Sequence, residues 1–298
     1  MIERNKIYNE DNGTGMQRIE SGSVDVILTD PPYLYLKGQK LDRPFDEQLF
    51  FVECRRILKD SGFIVMFGRG ESFYRWNTIL ANLKFTFKEE IIWDKSYVTS
   101  PVTPISRKHE TISIFAKKLG KINTTRVPYL EVKENDISSI AQDLKRIKSS
   151  LHNNKTLEEL NLYLETKQVE YKEDRKSGHN TTVQSLIKNG DRAVITMQLL
   201  DNGLKEKSII TVKRDHYSII HPTQKPVRLL ERLLALVSKP GDLVCDPFSG
   251  SGSTAIACIN THRNFVGFEI DYEYYDASIE RINEAIRVPK QKTLFTKY

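Results

Sequence analysis

Apolar positions along this chain gather into short continuous runs, with turn residues between them and helical spacing in the segments that join them. Runs at 7–8, 24–29, 63–68, 85–93, 111–116, 243–248 and 264–270 predict strands, most of them buried on both faces. Segments 13–20, 45–58, 72–83, 227–237 and 255–260 carry apolar residues three and four apart and predict helices. Strand and helix alternate, which predicts a mostly parallel sheet covered on both faces.

That rhythm stops near 119 and resumes near 216. Ile140, Leu144, Ile147 and Leu151, then Leu157, Leu160 and Leu164, predict two amphipathic helices in the interval. The chain therefore divides into 1–118 with 216–298, an α/β domain, and 119–215, a largely helical insertion. Charge separates the interval further. Residues 131–175 hold 8 Lys/Arg against 10 Asp/Glu, whereas 176–228 hold 9 against 4. The first part suits packing or a subunit contact. The second mixes cations, amides and hydroxyls, side chains that meet phosphates and base edges. Over 298 residues the formal charge is +6, in keeping with a polyanionic partner. Cys54, Cys245 and Cys258 lie in apolar contexts without pair spacing, which predicts reduced thiols and no zinc site. Neither a signal core nor a membrane-length apolar run is present, so a cytoplasmic location is expected.

Candidate chemistry begins at Asp30-Pro31-Pro32-Tyr33, directly after the strand 24–29. Carboxyl ends of strands are where open α/β sheets place their sites. The two prolines hold Asp30 and Pro31 extended. A carboxylate, a carbonyl with little freedom to turn and an aromatic face thus converge. An exocyclic amine fits them: Asp30 takes one hydrogen, the Pro31 carbonyl takes the other, and Tyr33 stacks on the ring. Two acceptors on one NH2 make its nitrogen nucleophilic. Alone, four such residues are better read as a strand followed by a Pro-Pro turn with a surface Tyr.

A second cluster raises the first above that. Strand 243–248 runs into Ser249-Gly250-Ser251-Gly252-Ser253-Thr254, then a helix, then a strand ending at Glu269. Glycines at the first turn of a β–α–β unit let a ligand approach the backbone, and the acid 17 residues after Gly252 suits a ribose diol. A dinucleotide and S-adenosylmethionine both satisfy this turn. Asp246 beside the glycines suits the ammonium group of the latter, and an amine-polarising site makes methyl transfer the simplest joint reading.

With His221-Pro222-Thr223-Gln224-Lys225-Pro226 these two clusters resemble the β group of DNA amino-methyltransferases that modify adenine N6, in which the catalytic motif precedes the cofactor motif. The resemblance covers roughly 5–118 and 216–286. It implies a Rossmann-like S-adenosylmethionine-dependent methyltransferase fold with a seven-stranded, mostly parallel sheet, and a target-recognition region within 119–215. It implies that Asp30, Pro31, Pro32 and Tyr33 hold a flipped adenine, with no metal required. It further implies that Asp11, Asp30, Thr223, Lys225, Asp246, Phe248, Ser249, Gly250, Gly252, Ser253, Thr254 and Glu269 bind S-adenosyl-L-methionine. Glu10 replaces the glycine that the family often has before Asp11.

Double-stranded DNA is the expected partner, contacted by Lys37 in the loop after Tyr33, by Lys95, Arg107 and Lys108, and by Lys176, Lys213 and Arg214. A homodimer and a cognate restriction endonuclease are compatible with the family. His109 is expected to be a structural hydrogen-bonder. Three rivals remain at this point: N4-cytosine methylation, against which Asp30 argues because Ser usually stands there; a nicotinamide-dependent dehydrogenase; and a non-catalytic DNA-binding protein.

Overall fold

The computed structural model describes residues 2–33, 43–97, 104–133, 136–169, 172–173, 188–189, 192–214 and 219–287. They fall into two compact units, one within 2–124 and 207–287 and the other within 125–206. The chain runs β1 (Lys6–Tyr8), α1 (Asn12–Gln17), β2 (Val24–Thr29), α2 (Glu47–Ile57), β3 (Leu58–Gly68), α3 (Gly70–Asn82), β4 (Thr86–Asp94) and β5 (His109–Ala116). The second unit holds β6 (Arg126–Val127), α4 (Tyr129–Val132), α5 (Ile137–Ser150), α6 (Asn154–Thr166), β7 (Lys172–Glu173), β8 (Lys188–Asn189), α7 (Arg192–Asn202) and β9 (Leu204–Lys205). The first then resumes with β10 (Ile209–Thr211), α8 (Val227–Val237), β11 (Leu243–Asp246), α9 (Ser253–Asn260), β12 (Asn264–Phe268) and α10 (Tyr272–Arg287).

The sheet of the first unit has eight strands in the order β1-β12-β11-β2-β3-β5-β4-β10. β5 is antiparallel to both β3 and β4, and the other pairings are parallel. The sequence predicts seven strands. The eighth is β10, whose Ile209, Ile210 and Thr211 pair with Ile92, Trp93 and Asp94. The compact insertion is also shorter than the predicted 119–215: residues 119–124 and 207–214 belong to the sheet unit.

Period-two alternation sorts the strand side chains into two cores. Val26, Leu28, Val65, Phe67 and Val244 pack with Leu229, Leu230 and Leu233 of α8 and Ile256 of α9. On the other face, Ile27, Ile64, Met66 and Cys245 pack with Phe50 and Phe51 of α2 and Trp76 of α3. Asp46 caps α2 through Leu49 N–H at 2.9 Å, which fixes where that helix begins. All three cysteines are buried, unbridged thiols. Among the described residues no helix is long and apolar enough to cross a membrane.

In the second unit β6 and β9 form a two-stranded antiparallel ribbon, and α5 and α6 occupy the two predicted helical stretches. Leu160, Tyr163 and Val194 make its small core. Two polar ties brace the unit: the Tyr129 hydroxyl donates to Asp143 at 2.8 Å, and that of Tyr163 to Asp201 at 3.1 Å.

Candidate active site

Because β12, β11 and β2 are adjacent and parallel, their carboxyl ends present Glu269, Asp246 and Asp30 in a row. Strands stand about 4.8 Å apart, so a ligand on this row reaches about 10 Å from Glu269 to Asp30. β4 runs the same way and delivers Lys95. The reversed β5 brings Glu110 to the same edge at its start. A cavity of about 730 Å³ opens there, lined among others by Asp11, Asp30, Tyr33, Lys225, Asp246 and Glu269.

One end of the cavity is a backbone cradle. Gly250 and Gly252 have φ of +48° and +69°, a region costly for a residue with Cβ. The Gly250 N–H donates to Glu269 Oε2 at 2.8 Å, and the Asp271 N–H to Oε1 at 2.9 Å. Two backbone donors therefore aim the Glu269 carboxylate, and its remaining lone pairs suit a diol. A Cβ on Gly267 would fall 2.1 Å from Ser249 Oγ, so the strand and the glycine turn touch only because that side chain is missing. Arg281 ties the turn to α10, donating to the Ser251 carbonyl and Ser253 Oγ, both at 2.9 Å. Phe248 stands against Phe45 and Phe50 with ring centres 5.3 and 5.4 Å away, giving the cradle an aromatic wall. Asp11 caps α1, accepting from Gly13 N–H at 2.9 Å.

Asp246 is buried at the base of the cavity. Burial drives its pKa up to about 7, against the Thr254 hydroxyl and Phe248 N–H that bond to it. Thr223 Oγ1 lies 3.0 Å from His221 Nδ1, and the imidazole packs edge-on against Tyr274 at 4.3 Å. Burial, aided by the Lys225 charge, pushes His221 down to about 4, so it is neutral at pH 7.

The other end is a ladder of alternating charge. The Tyr33 hydroxyl donates to Asp30 Oδ1 at 2.5 Å, and the Lys225 ammonium pairs with Oδ2. Lys225 also lies 3.4 Å from Glu110 Oε2, an ion-pair distance without a well-directed hydrogen bond. Lys95 pairs with Glu110 Oε1. Burial raises the Asp30 pKa, with Glu110 adding to it and Lys225 opposing it. Burial works against the charged form of Lys225, but Asp30 and Glu110 outweigh it and leave its pKa above the ordinary value. Tyr33 is set by Ser72, whose hydroxyl donates to its carbonyl at 2.6 Å, and by Trp76 at 6.0 Å.

The structure thus brings Asp30, Pro31, Pro32 and Tyr33 to one cavity with Asp11, Thr223, Lys225, Asp246, Phe248, Ser249, Gly250, Ser253, Thr254 and Glu269. Gly252 lies one step behind as the first residue before α9. The DNA candidates divide. Lys95 is 7% exposed and faces Glu110 inside the cavity, so it is no surface phosphate ligand. Lys108 is exposed and 3.2 Å from Asp94. Arg107 precedes it, and Lys213 and Arg214 follow β10 on the same edge of the sheet. Arg214 lines the cavity and donates to the Pro222 carbonyl. Lys37 and Lys176 lie outside the described residues. Sequence reasoning missed Glu110, a lone acid after Lys108-His109 with no spacing signal to Lys225.

An open, mostly parallel sheet with a glycine cradle at one strand end and an acid-Pro-Pro-Tyr corner at the next defines a Rossmann-like methyltransferase. A family model described as DNA methylase, N6_N4_Mtase, matches residues 24–280; the chain belongs to that family. The type II methyltransferase M.HinfI of Haemophilus influenzae is 27% identical over 90% of this chain, which spans 66% of that relative's length. The DNA adenine methyltransferase YhdJ of Escherichia coli is 26% identical over 93% of this chain and 85% of its own. Among solved structures, the M1.HpyAVI–SAM complex superposes with a TM-score of 0.52 at 19% identity, covering 93% of this chain and 98% of that one.

Proposed function

We propose that this DNA methylase transfers a methyl group from S-adenosyl-L-methionine to the N6 amine of a flipped-out adenine in double-stranded DNA. The observation that carries the proposal is the placement of Asp30 and Asp246 on neighbouring strand ends of one cavity. The residues fit the donor on their own chemistry. Asp246 is a buried carboxyl, and the groups that act on it are Thr254, Phe248 N–H, Asp30 and Glu269, none of them cationic, which suits an ammonium ligand. Glu269 is oriented by two backbone N–H groups, and Phe248 offers a ring face. Asp11 and Thr223 complete that half, and Lys225 stands at its border, paired with Asp30. The donor supplies an electrophilic methyl on a sulfonium.

The chain's own residues do the rest. Asp30 Oδ1 and Oδ2 each retain a lone-pair direction beside the bonds to Tyr33 and Lys225. One accepts an N6 hydrogen while the Pro31 carbonyl accepts the other, and Tyr33 covers the ring. As the N–C bond forms and the S–C bond breaks, N6 sheds a proton. Asp30, with its raised pKa, is the nearest base for it. Extruding the base costs a few kcal/mol, offset by stacking and edge contacts in the pocket. Arg107, Lys108, Lys213 and Arg214 on the same edge of the sheet meet phosphates. The insertion 125–206 supplies target recognition, and a homodimer and a cognate restriction endonuclease are compatible with this reading.

N4-cytosine methylation is the same chemistry on another amine, and Asp30 at the first motif position favours adenine. Sequencing modified bases in DNA from cells expressing the chain tests this reading. N6-methyladenine in a recurring context is expected. N4-methylcytosine, or unmodified DNA with the protein present, overturns it.

A further inference from the structure

Glu110 lies in the cavity but belongs to neither the donor cradle nor the Asp30 corner. It follows His109 at the start of β5, the strand that runs against its neighbours, and reversal is what sets its side chain at the catalytic edge. Its carboxylate is buried between two ammonium groups, Lys95 on Oε1 and Lys225 at 3.4 Å from Oε2. Lys225 in turn holds Asp30. The order is anion, cation, anion, cation, from Asp30 through Lys225 and Glu110 to Lys95. Around it stand Tyr33 on Asp30, His221 near Lys225 and Arg214 near Lys95, with Asp246 at the adjacent strand end.

A lone ammonium against Asp30 would draw the carboxylate's electron density to itself and weaken it as an acceptor. A second anion on the far side of that ammonium divides its pull. Resting on the methyl-transfer reading above, we propose that Glu110 is a positioning residue for that reaction: it holds Lys225 between two carboxylates, so that Asp30 keeps the acceptor strength needed to polarise the target amine. Lys95 tempers Glu110 in the same way. The alternating order also explains why four charges tolerate a buried site, since each is flanked by its opposite.

The charge logic fixes the signs. Removing the Glu110 charge leaves Lys225 with Asp30 alone and lowers the pKa of Asp30. Removing the Lys95 charge leaves Glu110 less neutralised and raises it. The test is kcat against pH at saturating donor and duplex, where bound donor keeps Asp246 ionised, for wild type, Glu110→Gln, Glu110→Asp and Lys95→Met. Donor affinity and Tm are measured on each. In Glu110→Gln the acid limb moves about one pH unit lower and kcat falls about tenfold, with donor affinity little changed. In Lys95→Met the limb moves the other way, and Glu110→Asp returns it toward wild type. An unmoved limb in both charge-removing variants, or a Glu110→Gln variant altered only in Tm, overturns the role of Glu110 while methylation by the wild type stands. A wild type that binds donor and methylates no base overturns the parent reading, and this role with it.

Discussion

Replacing Asp246 by Asn separates what this carboxyl costs the free protein from what it gives the donor. Asp246 ends β11 with 8% of its surface exposed, and burial lifts its pKa from 3.8 to about 7. A carboxyl whose folded pKa lies above its unfolded value stabilises the fold most below the unfolded value. That contribution declines as pH rises from about 4 through about 7 and is absent above. A rise of that size corresponds to about 4 kcal/mol against the ionised form. Water entry and local relaxation in an open cavity reduce this to about 1–3 kcal/mol. Asn keeps an acceptor for the Phe248 N–H, 3.2 Å away, and carries no charge. The donor-free variant is therefore expected to melt above wild type at pH 8, by about 2–4 °C for each kcal/mol, and to lose that advantage at pH 5. Titration calorimetry reads the other side. Wild-type affinity for the donor falls as pH drops below about 7, because the ammonium then pairs with a protonated acid. The variant binds about 10–100-fold more weakly at pH 8, the worth of a charged hydrogen bond, with a flat pH profile. A variant that melts below wild type at pH 8, together with wild-type affinity independent of pH, refutes the assignment of Asp246 to the donor's ammonium.

Asp30→Ala is expected to lower methyl incorporation by about 10²–10⁴ while calorimetry still detects donor binding; incorporation at the wild-type rate removes Asp30 from the chemistry. Reversing Lys213 and Arg214 to Glu is expected to weaken duplex binding and to flatten the log–log salt slope by about two, roughly one for each phosphate left without its cation. Unchanged binding across the titration removes that edge of the sheet from the DNA interface. Gly267→Ala forces Ser249 away from a site 2.1 Å distant and is expected to cost about 1–3 kcal/mol of stability by urea titration. A neutral result means that the glycine turn adapts.

The sheet unit was largely legible because its strands are continuous apolar runs, such as Val24–Thr29, whose ends coincide with chemical residues. Composition hid the rest. Ile209–Thr211 is three residues in a basic stretch, and only its register with Ile92–Asp94 makes it a strand. α10 (Tyr272–Arg287) is amphipathic, but Tyr, Glu and Arg keep its overall hydropathy low, so no apolar run marks it. α7 (Arg192–Asn202) spreads its apolar residues around the helix, so its periodicity is faint. Lys95 illustrates the limit at the site. In a loop beside Ser96 and Tyr97 it looks like a surface cation, yet β5 runs antiparallel and brings Glu110 against it. Strand direction is a tertiary property that no local pattern records, so the charge ladder was invisible while the Asp30 corner and the glycine cradle were not.

The central claim is that the Asp30 corner activates an adenine amine for a methyl held on the neighbouring strand ends. Incubating the purified protein with labelled S-adenosyl-L-methionine and duplex DNA, then digesting to nucleosides for mass spectrometry, tests it most directly. Labelled N6-methyldeoxyadenosine from the wild type, and none above background from Asp30→Ala, is the predicted result. Label on N4 of deoxycytidine, or no labelled nucleoside while calorimetry shows the donor bound, would contradict it.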